Sequence, residues 1–237
     1  MGVQRLSLVA PGGGRLTVEL PEEPLVSSVA ASVRFAGGSY GTGFQIGPRG
    51  YHDFACTHVA PSTPLDRLLV HGREVVVAEA VDRQSSVATL IGDYHELMTV
   101  YAGPAPRRDR VLALFGSLRV VDQVEGMVVR PAAATLLDTM SEHVVVVVRG
   151  RGSMSIPGPR QSLGLVPPHA GAPTKHGEVW KAPYPGAEGS SRAADHSFVL
   201  GCAGGMAEVH LSGVDAAPES QLLDWLNEIN VTWHTAG

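Results

Sequence analysis

Residues 41–59 read GTGFQIGPRGYHDFACTHV, and the expected fold turns on reading them as two short strands. Phe44 to Ile46 is an apolar run closed by Gly47, Pro48 and Gly50, residues that punctuate regular structure and mark a turn. Phe54 to Val59 reads as the second strand, with His58 near its end. The imidazole titrates nearest neutrality of the common side chains, so a histidine held at a strand end over a groove is suited to general-base work. His58 is therefore the first candidate site residue, weighed against the commoner role of a lone histidine as a structural or surface group.

Working outward, the composition favours many short strands. The chain has 237 residues, 44% of them hydrophobic and 17% charged, with 28 glycines and 17 prolines. That balance suits an all-β body with tight turns. RLSLVAPGGGRLTVELP reads as a hairpin about Gly12 to Gly14. A phosphate-cradling loop would need a helix after the glycines, and the alternating Arg15 to Leu20 argues against nucleotide binding. Leu25 to Phe35 is a further strand, and Ala60 to Asp66 a loop with two prolines. The Pro-rich, basic VYAGPAPRRDR suggests a crossover linker, which divides the chain into a β half at 1–100, a linker at 101–110 and a second β half at 111–237. In that second half Leu112 to Leu118 reads as strand or as a helical turn or two, and Thr135 to His143 as a short helix. The valine run Val144 to Val148 reads as a strand buried on both faces. Leu222, Trp225, Leu226 and Ile229 recur at spacings of three and four, predicting a terminal helix over Pro218 to Asn230.

Charge and cysteine usage narrow the function classes. Eighteen basic and 23 acidic residues are spread along the chain for a net charge of −5, with no basic face for nucleic-acid binding. The N-terminus lacks the basic-then-apolar order of a signal peptide, and no apolar run approaches the roughly 18 residues a membrane span needs. The expectation is a cytoplasmic protein without membrane or nucleic-acid partners. Cys56 and Cys202 form no disulfide framework and have no second cysteine at ligand spacing, so free thiols and no structural metal are expected. His52, Asp53, Cys56 and His58 cluster in sequence, and on a strand His52, Cys56 and His58 would share one face. With His169 and His176 they make a metal-dependent enzyme a third class to test.

The order of segments resembles the trypsin-like (chymotrypsin-fold) serine peptidases. Gly41-Thr42-Gly43-Phe44 and Cys56-Thr57-His58-Val59 are similar to the family's G-S-G-Φ strand and its T-A-A-H. His71-Gly72-Arg73-Glu74, Ala78, Asp82 and Ser86 to Leu90 are similar to the D-G-R-E hairpin and the D-Φ-A-Φ-L that follows it. Ala170-Gly171-Ala172-Pro173 falls on S-G-x-P. The resemblance implies two six-stranded-type β-barrels with a C-terminal helix, the alternative being another β-sandwich or barrel architecture. It puts the triad on His58, Ser86 and Ala170. Alanine has no nucleophile and serine no charge to stabilise an imidazolium, so the triad is incomplete and the implied activity is lost. Asp82 and Asp93 are candidate replacements for the carboxylate.

Beside the metal-dependent class, three readings follow. The first is a pseudopeptidase that serves as a peptide- or protein-binding module and uses no cofactor. The second is a non-catalytic structural or assembly β protein. The third is a serine endopeptidase captured as a nucleophile-to-alanine variant.

Overall fold

The structure, a computed structural model, describes residues 2–36, 43–133, 139–212 and 219–234. Strands take 55% of the described residues and helices 16%, which places the chain in the all-β class. The residues pack into two compact units. A terminal unit comprises Met1–Leu8, Gly14–Val29 and His143–Gly237, and a central unit comprises Val9–Gly13 and Ala30–Glu142. β1 (Val3–Val9) and β2 (Arg15–Pro21) are neighbours about the glycine turn, as their alternation predicts.

In the central unit, β3 (Val26–Phe35, in this unit from Ala30), β4 (Gly43–Pro48), β5 (Ser62–Val70), β6 (Arg73–Ala80), β7 (Ser85–Ile91) and β8 (His95–Ala102) make an antiparallel ladder. Its order is β3-β4-β8-β7-β6-β5. Period-two alternation turns Val33, Phe35, Phe44, Ile46, Val75, Val77 and Leu97 into one core. Residues 101–110 form the end of β8, a turn and the start of a helix. The ambiguous apolar stretch after them is helical too.

That helix is the second of the unit. The first is α1 (Tyr51–Phe54), which continues as a π-helical turn over Ala55–Val59, where a strand was expected. The carboxylate of Glu96, only 4% exposed on β8, accepts the amides of Gly50 at 3.0 Å and His52 at 2.6 Å. It satisfies two donors that a helix start leaves orphaned and complements the dipole. Tyr51, Ala55 and Cys56 then meet Ala78, Val87 and Met98, the four-residue spacing of a helix. The second helix, α2 (Arg108–Gly116), sends Val111, Leu114 and Phe115 into the ladder's core, with Phe115 edge-on to Phe44 at 6.1 Å. Residues 62–66, expected as loop, belong to β5, with a bulge between Pro64 and Asp66. β9 (Leu118–Gln123) and β10 (Gly126–Pro131) form a separate hairpin.

The terminal unit takes the rest: β11 (Met140–Val148, in this unit from His143), β12 (Gly152–Pro157), α3 (Pro159–Ser162), β13 (Ala172–Thr174), β14 (Gly177–Pro183), β15 (His196–Cys202), β16 (Gly205–Leu211), α4 (Glu219–Asn227) and β17 (Asn230–His234). Its ladder runs β13-β14-β15-β16-β12-β11, and β17 pairs with β2. Residues 140–143 are strand, not helix, while 135–138 lie outside the described residues. The valine run is buried on one face only: Val144, Val146 and Val148 are buried and Val145 and Val147 half-buried. The predicted helix forms, and its spaced Leu222, Trp225 and Leu226 are buried, as is Ile229 just beyond it. The barrel expectation needs correction, because β13 and β5 each pair on one side only among the described residues and neither ladder closes. No described helix is long and apolar enough to cross a membrane.

One buried carboxylate ties β9 to the turn between β7 and β8. Asp122, its side chain fully buried, accepts the amides of Tyr94 at 2.8 Å and His95 at 3.3 Å and faces the His95 ring nitrogen Nδ1 at 2.8 Å. Burial pushes its pKa up, but these donors outweigh it and hold it below the usual carboxylate value. Such a group stabilises the fold above the unfolded pKa, and the contribution is lost as pH falls through the folded one. Asp122→Ala strands buried donors and should cost about 1–3 kcal/mol in urea unfolding at neutral pH. The difference from wild type should shrink in acid; a gap that grows on acidification contradicts this role.

Candidate functional site

The three triad-matching positions are divided between the units, His58 and Ser86 in the central one and Ala170 in the terminal one. His58 is exposed on the π-helical turn, its ring 5.2 Å from that of Phe54. Ser86 lies in β7, 1% exposed, with a buried hydroxyl that has no hydrogen-bond partner among the described residues. No hydrogen bond among the described residues joins it to His58. Of the two candidate carboxylates, Asp82 accepts the amide of Gln84 within a turn and Asp93 is exposed between β7 and β8. Ala170 belongs to the other unit, on the exposed segment that leads into β13. Gly41 and Thr42, the start of the matching stretch, lie outside the described residues.

The helical turn also regroups the metal candidates. At a period near 3.6, His52 and Cys56 share a face and His58 leaves it, the reverse of the strand reading. Among the described residues, no three His, Cys, Asp or Glu side chains could hold a metal ion. The pairing that results went unread in the sequence, though its signal was the four-residue spacing. Cys56 Sγ lies 3.7 Å from His52 Nε2, and Thr89 Oγ1 is 2.9 Å from Nδ1 of the same buried ring. Burial pushes the Cys56 thiol up, against a hydrogen bond with Ser62, and Asp53 adds to the rise. The sulfur therefore stays a thiol at neutral pH rather than the reactive thiolate.

A second imidazole contact lies in the terminal unit. His143 Nδ1 is 3.4 Å from Ser155 Oγ, and Gln161 Nε2 is 3.4 Å from the ring's other nitrogen.

Ala170 instead borders a cavity within the terminal unit. The cavity is about 600 Å³, walled by residues 169–174, by Val179, Trp180 and Lys181 of β14, by Phe198 of β15, and by Leu223, Asp224, Leu226 and Asn227 of α4. Trp180 fixes its shape. Its indole N–H donates to the carbonyl of His169 at 2.7 Å, which lays the segment before β13 across the ring. A Cβ at Gly171 would stand 2.8 Å from the ring, and one at Gly201 would stand 3.0 Å from its far side. Glycine at both places lets the backbone approach the ring where a Cβ would press against it. The turn between β13 and β14 is tied to α4 through Lys175, whose amide donates to Asn227 Oδ1 at 3.1 Å and whose ammonium meets Glu228 at 2.6 Å. Sequence reading placed the segments but could not bring α4 to β13.

Both thiols should alkylate slowly, since burial also raises Cys202, against a backbone hydrogen bond from Val231. Iodoacetamide at pH 7 should modify Cys56 and Cys202 more slowly than an ordinary cysteine of pKa about 8.5, with rates climbing as pH rises past that value. Faster reaction than the free amino acid at pH 7 would contradict the assignment. Comparison of the chain with protein-family models, curated proteins and solved structures yields no match.

Proposed function

We propose that the chain is a catalytically silent relative of the trypsin-like peptidases that works as a peptide- or protein-binding module. The observation that carries this reading is the setting of Ala170. The residue matching the family's nucleophile is a methyl group on the rim of a preformed groove with aromatic and aliphatic walls. Grooves of a few hundred cubic ångströms lined this way take a ligand's apolar side chains, with a few polar groups setting orientation. The incomplete triad supports binding over chemistry, because among the described residues neither His58 nor Ser86 has a partner suited to proton transfer. Contact would come mainly from side chains seated in the groove. β13 has an open edge, but Pro173 withholds a backbone donor from the strand, which weakens ladder extension there.

Display selection of linear peptides on the whole chain tests this, with tryptophan emission as the readout because Trp180 walls the groove. Selected peptides should shift the emission. Leu223→Asp, which changes a 49% exposed side chain on α4, should weaken them by about tenfold, the size of a typical interface anchor. No enrichment, or binding indifferent to Leu223→Asp, defeats the proposal. Ala170→Ser should remain unlabelled by a fluorophosphonate probe, since on this reading the introduced hydroxyl has no base to activate it; labelling would return the chain to the active peptidases.

A further inference from the structure

We infer that a peptide bound by this chain is held by two bulky apolar side chains with one residue between them, one seated beside Ala170 and the other in a second cavity across Trp180. This rests on the peptide-binding reading and adds a subsite and a spacing to the ligand. The second cavity is also about 600 Å³ and lies within the terminal unit. Leu163 and Val166, which follow α3, border it together with Trp180, Cys202, Met206 and Trp233. Met206 is 1% exposed and Leu163 87%, so the cavity runs from the core to the surface. Leu163, Leu165 and Val166 are all exposed within four positions, and apolar side chains clustered in the open beside an apolar hollow mark a place of contact.

The occupant follows from how the two hollows adjoin. They share one wall, the indole of Trp180, and one hairpin. Gly171 borders the first and Gly201 the second, and each brings backbone against the same ring. Thr174, on the wall of the first, is the register partner of Gly177, on the wall of the second. Carbon atoms in contact lie about 3.5–4 Å apart, so two side chains that flank one flat ring stand about 7–8 Å from each other. An extended chain rises about 3.3 Å per residue and turns successive side chains to opposite faces, which puts residues i and i+2 on one face about 6.6 Å apart. Neighbouring residues point away from each other, and residues i and i+4 are about 13 Å apart. A separation of two is therefore the one that an extended peptide can place astride Trp180.

The test uses three labelled peptides with the same flanks and the cores phenylalanine-threonine-phenylalanine, phenylalanine-threonine-alanine and phenylalanine-phenylalanine-threonine; the first and third have one composition and differ only in spacing. Their anisotropy is read with the whole chain, with Leu163→Asp and with Leu223→Asp; both leucines are exposed, and circular dichroism checks the fold. The spaced pair should bind about tenfold tighter than either other core, the worth of one interface anchor. Leu163→Asp should erase that advantage and leave the phenylalanine-threonine-alanine peptide unchanged, whereas Leu223→Asp should weaken all three. Equal binding of the first and third peptides, or an advantage that survives Leu163→Asp, overturns the inference while leaving peptide binding in place. Self-association in sedimentation that Leu163→Asp abolishes gives the second cavity to another copy of the chain and overturns it too. If the three peptides fail although display-selected ones bind, the inference falls alone; if no peptide binds at all, the underlying reading falls with it.

Discussion

An antiparallel ladder that does not close leaves a row of backbone donors and acceptors unpaired at its edge, and both units are shaped by how they handle one. In the central unit the edge is β5. A bulge at Pro64 and Asp66 interrupts it, and Asp66 holds Arg108 of α2 through two hydrogen bonds of 2.8 and 3.0 Å. The same helix then fills the ladder's core with Val111, Leu114 and Phe115. In the terminal unit the edge is β13, blunted by being three residues long and by Pro173. Its hairpin is tied through Lys175 to the end of α4. One edge is covered and filled, while the other keeps a hollow between strand and helix.

That hollow persists because Trp180 is held from both sides. The hydrogen bond to His169 fixes one edge of the indole, and the backbone at Gly171 and Gly201 lies close against the ring. A buried tryptophan whose N–H is satisfied makes a rigid wall, and rigid walls lower the entropic cost of binding. The cavity is thus a consequence of packing, and the open charges of Lys181 and Asp224 at its rim give it polarity.

Much of the fold was legible in the chain. The strand runs, the glycine hairpin turn and the terminal helix follow from local periodicity, and the burial of Leu222, Trp225, Leu226 and Ile229 matches their spacing. The stretch from Tyr51 to Val59 was not. Its residues alternate well enough for a strand, and the helix wins because Glu96, more than forty positions away, satisfies the amides at its start. Arg108 to Gly116 is similar, an apolar run that becomes a helix because three of its side chains fit the face of an open ladder.

By itself the sequence determined the all-β class, the places of its turns and the amphipathic character of α4, because period, glycine and proline act within a few residues. The tertiary structure alone decided that His52 faces Cys56 while His58 faces away, that the ladders stay open, and that Ala170 sits on a groove. Each of these depends on contacts between residues far apart in the chain, such as Glu96 with Gly50 or Trp180 with His169, whose strength comes from burial and geometry that no local pattern records.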